Sequence, residues 1–299
     1  MITFPSTVLL ATDGSSHAVN ARLAAADITA RSGASLHLVH AWRRSTPPLL
    51  LPPERNQAAV SSMLAHERDL LASAGVAVVA THSREGGWPA VRILLVARSV
   101  GADLLVIGRR RLGRIHRAIS PSTSQGLLRL STIPLLVVRE DAGAWPPARL
   151  VIGDDGSRMA HDAAVLAAHL GRTLCCSVET VEIVDPRAVE TSAPIQVMAG
   201  VLDRIDRRRS EIEREVGTPV EGTFRLHRDA ASGLREAGSG GEIPVLLAIG
   251  HRPVRRPGEH ESASIAGRLL ADGATTLLIC PALALQSIRR RRAVVWASP

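Results

Sequence analysis

Two kinds of period alternate along the chain. Short, almost unbroken aliphatic runs, Thr7–Thr12, Leu36–Ala41, Val76–Thr81, Leu104–Ile107 and Leu135–Val138, have the length and composition of β-strands. Between them the apolar positions recur at helical spacing. Val19, Leu23, Ala26 and Ala30 fall on one face of a first helix, and Val60, Met63, Leu64 and Leu71 on one face of a second. Pro89 suits the first turn of a third helix, where a missing amide proton costs nothing. Ile93, Leu94, Ala97 and Val100 are its predicted buried stripe. A short fourth helix is predicted from about Ser122 to Leu130. Strands this apolar are covered on both faces, which predicts a parallel sheet with right-handed crossovers.

The pattern then returns. Val8-Leu9-Leu10-Ala11-Thr12-Asp13-Gly14-Ser15 reappears as Leu150-Val151-Ile152-Gly153-Asp154-Asp155-Gly156-Ser157, and Leu104-Leu105-Val106-Ile107-Gly108 as Leu246-Leu247-Ala248-Ile249-Gly250. Asp13 corresponds to Asp155 and Gly108 to Gly250 with the same displacement, so two matches in register predict a duplication. Val201, Ile205, Ile212 and Val216 mark the second helix of the second copy, with Leu246–Ile249 and Thr276–Ile279 as its last two strands. The fold expected is therefore α/β: two tandem, doubly wound, five-stranded parallel-sheet domains, residues 1–140 and 149–285. Residues 141–148, with Gly143, Pro146 and Pro147, read as a linker, and 286–299 as a basic, solvated tail. A length of 299 residues suits two cores of roughly 150 each.

Composition changes this picture little. Aromatic residues are 2% of the chain and Tyr is absent, so the cores must be built from Val, Leu, Ile and Ala. Lys is absent as well, which makes all 36 basic residues arginine and excludes a Walker-type Gly-Lys-Ser phosphate loop. The net charge of +8 raises the question of a nucleic-acid partner. Apart from Arg109–Arg111, Arg207–Arg209 and Arg289–Arg292, both signs are interspersed, and nucleic acid is not expected. Cys175, Cys176 and Cys280 lie in apolar runs that read as buried strands, with no Cys-x-x-Cys pair, the pattern of reduced structural thiols. Without a signal-peptide pattern or an apolar run of ~18 residues, a cytoplasmic location with no membrane partner is expected.

An opening strand ending in Asp13-Gly14-Ser15, a fourth strand ending in Gly108 before a long loop and Ser122-Thr123-Ser124, the segment Gly87-Trp88-Pro89-Ala90, and the strand after Ile133-Pro134 together resemble the universal stress protein family. The resemblance covers both halves. It implies the sheet order 3-2-1-4-5 of the adenine nucleotide alpha hydrolase-like fold, and pairing through the fifth strands, here Leu135–Val138 with Thr276–Ile279. A homodimer is left open. It also implies ATP at the carboxyl ends of strands one and four, where ligands bind an open parallel sheet as its order reverses. Thr12 and Asp13, after Ala11, would contact the adenosine, and the Ala41 backbone would read the adenine edge. Gly108, Arg109, Arg111, Gly113 and Ser122 would hold the phosphates, with Thr123 and Ser124 opening the helix whose positive end faces them.

The family's phosphate loop is Gly-x2-Gly-x9-Gly-Ser, and the chain departs from it. Arg111 and Pro121 stand where the second and third glycines belong, and Gly113 falls two places late. Pro121 has no amide to offer phosphate, yet with Ser120 it makes a sound helix start. Arg111 loses glycine's freedom but adds a cation suited to phosphate; His116 in the same loop is the histidine nearest that role. In the second copy the loop is shorter, Pro253 replaces the second glycine and Glu261 stands at the third. A carboxylate there repels phosphate, so ATP is expected in the first domain only. Asp154-Asp155 reads as a turn residue and a family aspartate rather than a metal pair. The Pro47–Pro53 stretch reads as an extended connection. No Gly-x-Ser-x-Gly or His-Glu-x-x-His motif is present, and no enzymatic activity is expected. Three readings remain: a stress protein that holds ATP in its first half, a nucleotide-independent interaction module, and a slow ATP hydrolase.

Overall fold

The computed structural model describes residues 4–42, 57–109, 123–140, 145–190, 193–239, 241, 243–252, 264–282 and 284–296, the last six without their side chains. The chain divides into two compact units, one built from Pro5–Ser131 and Leu135–Asp141, the other chiefly from Ala142–Pro299.

In the first unit β1 (Thr7–Ala11) leads through a 3-10 turn (Ser16–Ala18) into α1 (Val19–Ser32) and β2 (Ser35–Trp42). There follow α2 (Gln57–Ser73), β3 (Val78–Glu85), α3 (Pro89–Ser99), β4 (Leu104–Arg109), α4 (Thr123–Leu130) and β5 (Leu135–Arg139). All neighbouring strands are parallel, in the order β3-β2-β1-β4-β5. Val8, Leu9 and Leu10 of β1 and Leu104, Leu105 and Val106 of β4 are fully buried at the centre of the sheet. A residue the sequence did not single out ties their starts together. Asp103, 3% exposed, accepts hydrogen bonds from the amides of Ser6 and Thr7 at 3.0 Å and from Ser6 Oγ at 2.7 Å.

Two expected faces are corrected. In α1 the buried positions are Ala21, Ala24, Ala25, Ala26, Ile28 and Thr29, whereas Leu23 is 49% exposed and Ala30 faces solvent. The 3-10 turn and the helix lie so close to the sheet that a Cβ on Gly108 would stand 3.1 Å from Ala18 Cα and 3.5 Å from Ala21 Cβ, a gap that suits alanine. In α3 the buried set is Ala90, Ile93, Val96 and Ala97, so Val96 takes the place expected for Leu94 and Val100. Strand β3 starts two residues later than its apolar run and extends through polar residues to Glu85, as an edge strand can.

The second unit comprises β6 (Arg149–Gly153), α5 (Arg158–Leu174), β7 (Ser177–Val184), α6 (Pro186–Val189), α7 (Pro194–Val216) and β8 (Glu221–Leu226). It continues with α8 (Ala230–Ala237), β9 (Val245–His251), α9 (Ile265–Asp272), β10 (Thr276–Pro281) and α10 (Ala284–Trp296). Its strands are parallel in the order β10-β9-β6-β7-β8, the same 3-2-1-4-5 plan. Val201, Ile205, Ile212 and Val216 are the four buried residues of α7, as their spacing predicts. Ser157 caps α5 by accepting a hydrogen bond from the Ala160 amide at 3.1 Å.

The expected basic tail is instead helical. The start of α10 buries Ala284, Leu285 and Ile288, and the helix packs on α5. Apolar residues at i, i+1 and i+4 give it an anchored face despite Arg289 and its neighbours. The cysteines are also corrected. Cys280 is buried in β10, but Cys175 is exposed and ends α5 with φ of 56°, and Cys176 is half-buried before β7. Cys175 supplies the left-handed residue that closes the helix, a place where glycine is usual.

Candidate functional site

In each unit the strand order reverses beside the first strand, and the loops at the carboxyl ends converge there. In the first unit Ala11 closes β1 in register with Val39 of β2 and Ile107 of β4. The Thr12 amide continues the ladder by donating to Val39 O at 3.0 Å. His40, buried, donates from Nδ1 to Thr12 O at 2.7 Å, and since a carbonyl only accepts, this fixes the ring tautomer. His40 thus shapes the turn as a structural histidine.

The side chain of Thr12 is turned inward. Its hydroxyl donates to Glu67 Oε2 of α2 at 3.4 Å and accepts the Gly14 amide at 3.1 Å. Glu67 is 2% exposed and receives Arg22 Nη1 of α1 at 2.7 Å. Neither Glu67 nor Arg22 was anticipated. A lone Glu on the apolar face of α2, in step with Val60, Leu64 and Leu71, was the available signal.

Asp13 sits at the rim. Its Oδ1 accepts the Ser15 amide at 3.1 Å and Ser15 Oγ at 2.6 Å, which orders the turn into the first helical segment. Gly14 has φ of 69°, and a Cβ there would lie 2.5 Å from Met63 Cγ, so the turn requires glycine. Across from it β4 ends in Gly108 and Arg109, in register with Val138 and Arg139 of β5. Ala41 lies in β2 two residues beyond Val39, beside Arg84 of β3. Thr123 and Ser124 form the first turn of α4. Ala11, Thr12, Asp13, Ala41, Gly108 and Arg109 therefore share the carboxyl edge of one sheet. Arg111, Gly113, His116, Pro121, Ser122 and Pro47–Pro53 lie outside the described residues.

The second unit reuses this corner with different chemistry. The Asp154 amide donates to Val181 O at 3.0 Å, as Thr12 does to Val39. Its Oδ1 accepts the Gly156 amide at 2.8 Å, the contact that Thr12 makes with Gly14. Its Oδ2 meets Arg208 Nε of α7 at 2.8 Å. Arg208 also donates to Gly156 O at 2.9 Å and to Glu211 Oε2 at 3.3 Å. Burial pushes the Asp154 carboxyl above its ordinary range, and the Arg208 guanidinium pulls against that shift. Asp155 repeats the role of Asp13, with Oδ1 accepting the Ser157 amide at 3.0 Å. A cavity of about 280 Å³ opens beside this pair, lined by Asp154, Thr180, Glu182, Arg204 and Arg208 among others. Glu182 in turn receives Arg204 Nη2 at 2.6 Å. Gly250 ends the core of β9 where Gly108 ends that of β4, and a Cβ on it would stand 3.0 Å from Met159 O, while Pro253 and Glu261 lie outside the described residues. Among the described residues no group of three His, Cys, Asp or Glu side chains is arranged to hold a metal ion, and no helix is long and apolar enough to cross a membrane.

Comparison with known proteins agrees with this geometry. The model of the universal stress protein family matches residues 6–139. A universal stress protein from the QAH/OAS sulfhydrylase 3′ region of Thermus aquaticus is 34% identical over 141 residues, which are 44% of this chain and 98% of that protein. The crystal structure of a universal stress protein from Archaeoglobus fulgidus superposes with a TM-score of 0.67 at 14% identity, over 93% of this chain and 99% of that one. The functionally unknown protein PA1789 from Pseudomonas aeruginosa gives 0.61 at 13% identity, over 98% of each. At such identities the structures speak for the fold alone, whereas the family match and the Thermus relative speak for descent. The chain belongs to the universal stress protein family.

Proposed function

We propose that this protein is a non-enzymatic, cytoplasmic stress-response protein that holds an adenine nucleotide, ATP by family resemblance, at the carboxyl edge of its first unit only. One observation carries the reading: the contrast between the two first-strand ends. In the first unit the polar side chain after β1 is tucked onto the buried Glu67, and Asp13 is ordered at the rim. In the second unit Arg208 reaches over the same place, bonding both the Asp154 carboxylate and the Gly156 carbonyl. Ligand access there requires breaking a partly buried ion pair, and the second site is degenerate for that reason as well as for its loop sequence.

A second reading is kept because Arg111 and Pro121 replace two phosphate-loop glycines. On it both clefts are vestigial and the protein is a nucleotide-independent interaction module. Purification followed by acid release and chromatography of co-eluting nucleotide separates the two. Adenine nucleotide approaching one equivalent per chain supports the first reading, and its absence, with no ATP binding by calorimetry, supports the second.

A further inference from the structure

Two histidines outside the candidate site meet on adjacent strands. In the parallel pairing of β2 with β3, His37 lies opposite Ala80 and Val39 opposite His82, so both histidines project from the same face of the sheet, diagonal to one another. Their rings lie 5.6 Å apart between centroids at an interplanar angle of 26°. His82 Nε2 stands 3.4 Å from His37 Nδ1. Both residues are half-buried, which leaves one side of the pair open to water.

That nitrogen separation is informative. Zinc–imidazole bonds are about 2.0–2.1 Å long, and two nitrogens on one tetrahedral ion then stand roughly 3.3–3.4 Å apart. We infer that His37 and His82 form a two-imidazole site for a divalent transition-metal ion, with zinc the natural occupant and water completing its coordination. Both donors sit on hydrogen-bonded strands rather than loops, so the bite is set by the sheet and costs little ordering. Imidazole nitrogens suit Zn²⁺, Ni²⁺ and Cu²⁺ and not Mg²⁺ or Ca²⁺.

The protons balance without an external acid or base. Without an ion, one ring donates its N–H to the bare nitrogen of the other. With an ion, His37 binds through Nδ1 and keeps its proton on Nε2, while His82 binds through Nε2 and keeps its proton on Nδ1. One tautomer exchange and the release of two metal-bound waters therefore suffice. Burial pushes both imidazoles below the ordinary histidine range, and for His82 the neighbouring His37 and Arg84 add to the effect. Arg84 donates to Ser83 O at 2.9 Å.

The test uses the full chain and Zn²⁺ alone. Long-range proton–nitrogen correlation spectra of the wild-type imidazoles are recorded as Zn²⁺ is added to one equivalent. His37 Nδ1 and His82 Nε2 are expected to shift together before any other histidine. Calorimetry on His37→Gln and His82→Gln is expected to show Zn²⁺ affinity ~10-fold or more weaker in each, about 1.4 kcal/mol or more, with the thermal unfolding midpoint essentially kept. The inference is overturned if other side chains shift first, if no imidazole shifts, or if both variants bind Zn²⁺ as the wild type does.

Discussion

Arg208 Nε lies 2.8 Å from Asp154 Oδ2, whereas at the matching corner of the first unit Thr12 Oγ1 lies 3.4 Å from Glu67 Oε2. The duplicated fold has kept a polar bridge from the first strand to the second helix and exchanged its chemistry. In one copy the helix supplies the anion to a hydroxyl, and in the other it supplies the cation to a carboxylate. The side chains of Asp154 and Arg208 are 9% and 15% exposed, so the pair is shielded enough to matter.

Removal of one partner should therefore be costly. Arg208→Ala leaves a buried carboxylate without its cation and should destabilise the second unit by about 3 kcal/mol at neutral pH, measured by urea unfolding. The deficit has a pH signature. Burial already raises the folded-state affinity of Asp154 for its proton, and loss of Arg208 raises it further. The variant's deficit should thus widen as pH rises through the carboxylate range and shrink as it falls. A pH-independent deficit would point to lost packing instead.

In the first unit Glu67→Ala should cost a similar amount, about 3 kcal/mol, because Arg22 would keep its charge with a side chain only 17% exposed and without its carboxylate. Replacing both, as Arg22→Met with Glu67→Leu, should restore most of the loss. Denaturant midpoints of the single and double variants test this, and a double variant no better than Glu67→Ala would show that Glu67 acts mainly by holding Thr12.

Cys175 closes α5 in the left-handed region at φ of 56°, where a side chain is strained. Cys175→Gly removes that strain and adds unfolded-state freedom, and should be net stabilising by about 0.5–1 kcal/mol. Thermal and chemical unfolding of the two proteins read this directly. The residue is exposed, so no core contact is lost.

Asp229 caps α8 and receives both Nη1 and Nη2 of Arg268 from α9 at 2.6 Å. These hydrogen bonds hold its carboxyl well below the usual range. A depressed folded-state value contributes stability that is present above about pH 3.9, the unfolded reference, and is lost as pH falls toward the folded value. Asp229→Asn should be less stable than wild type at neutral pH, and the two curves should converge on acidification.

Much of this was legible in the sequence because the strands announce themselves. Runs such as Leu104–Ile107, matched by Leu246–Ile249, gave both the repeat and the parallel sheet. Val201, Ile205, Ile212 and Val216 gave a helix face because large apolar residues stand out against arginine and glutamate. The face of α1 is not legible from spacing because its neighbours are alanines, whose burial depends on how closely the helix approaches Gly108. Asp103, Glu67 and Arg208 were missed for a shared reason: a buried charge is chosen by a partner distant in sequence. Asp13 and Gly108 were legible as motif residues, and Asp13's partner Ser15 is local.

The phosphate loop yields a prediction from sequence. If Arg111 and Pro121 weaken ATP binding, Arg111→Gly with Pro121→Gly restores the two family glycines and, at position 121, a backbone donor for phosphate. ATP affinity should rise at least ~10-fold even after loss of the Arg111 cation. Weaker binding by the double variant would make Arg111 a phosphate ligand.

On the proposed function, the first unit binds nucleotide and the second does not. Asp13 and Asp155 make corresponding turns, accepting the Ser15 and Ser157 amides at 3.1 and 3.0 Å, Asp13 with an added bond from Ser15 Oγ at 2.6 Å, and thermal unfolding of both alanine variants separates that structural cost from loss of ligand. Calorimetric titration of ATP into wild type, Asp13→Ala and Asp155→Ala reads out the difference between the units. One site is expected in wild type, lost in Asp13→Ala and retained in Asp155→Ala. Binding that survives Asp13→Ala, or disappears in Asp155→Ala, would contradict the proposed function.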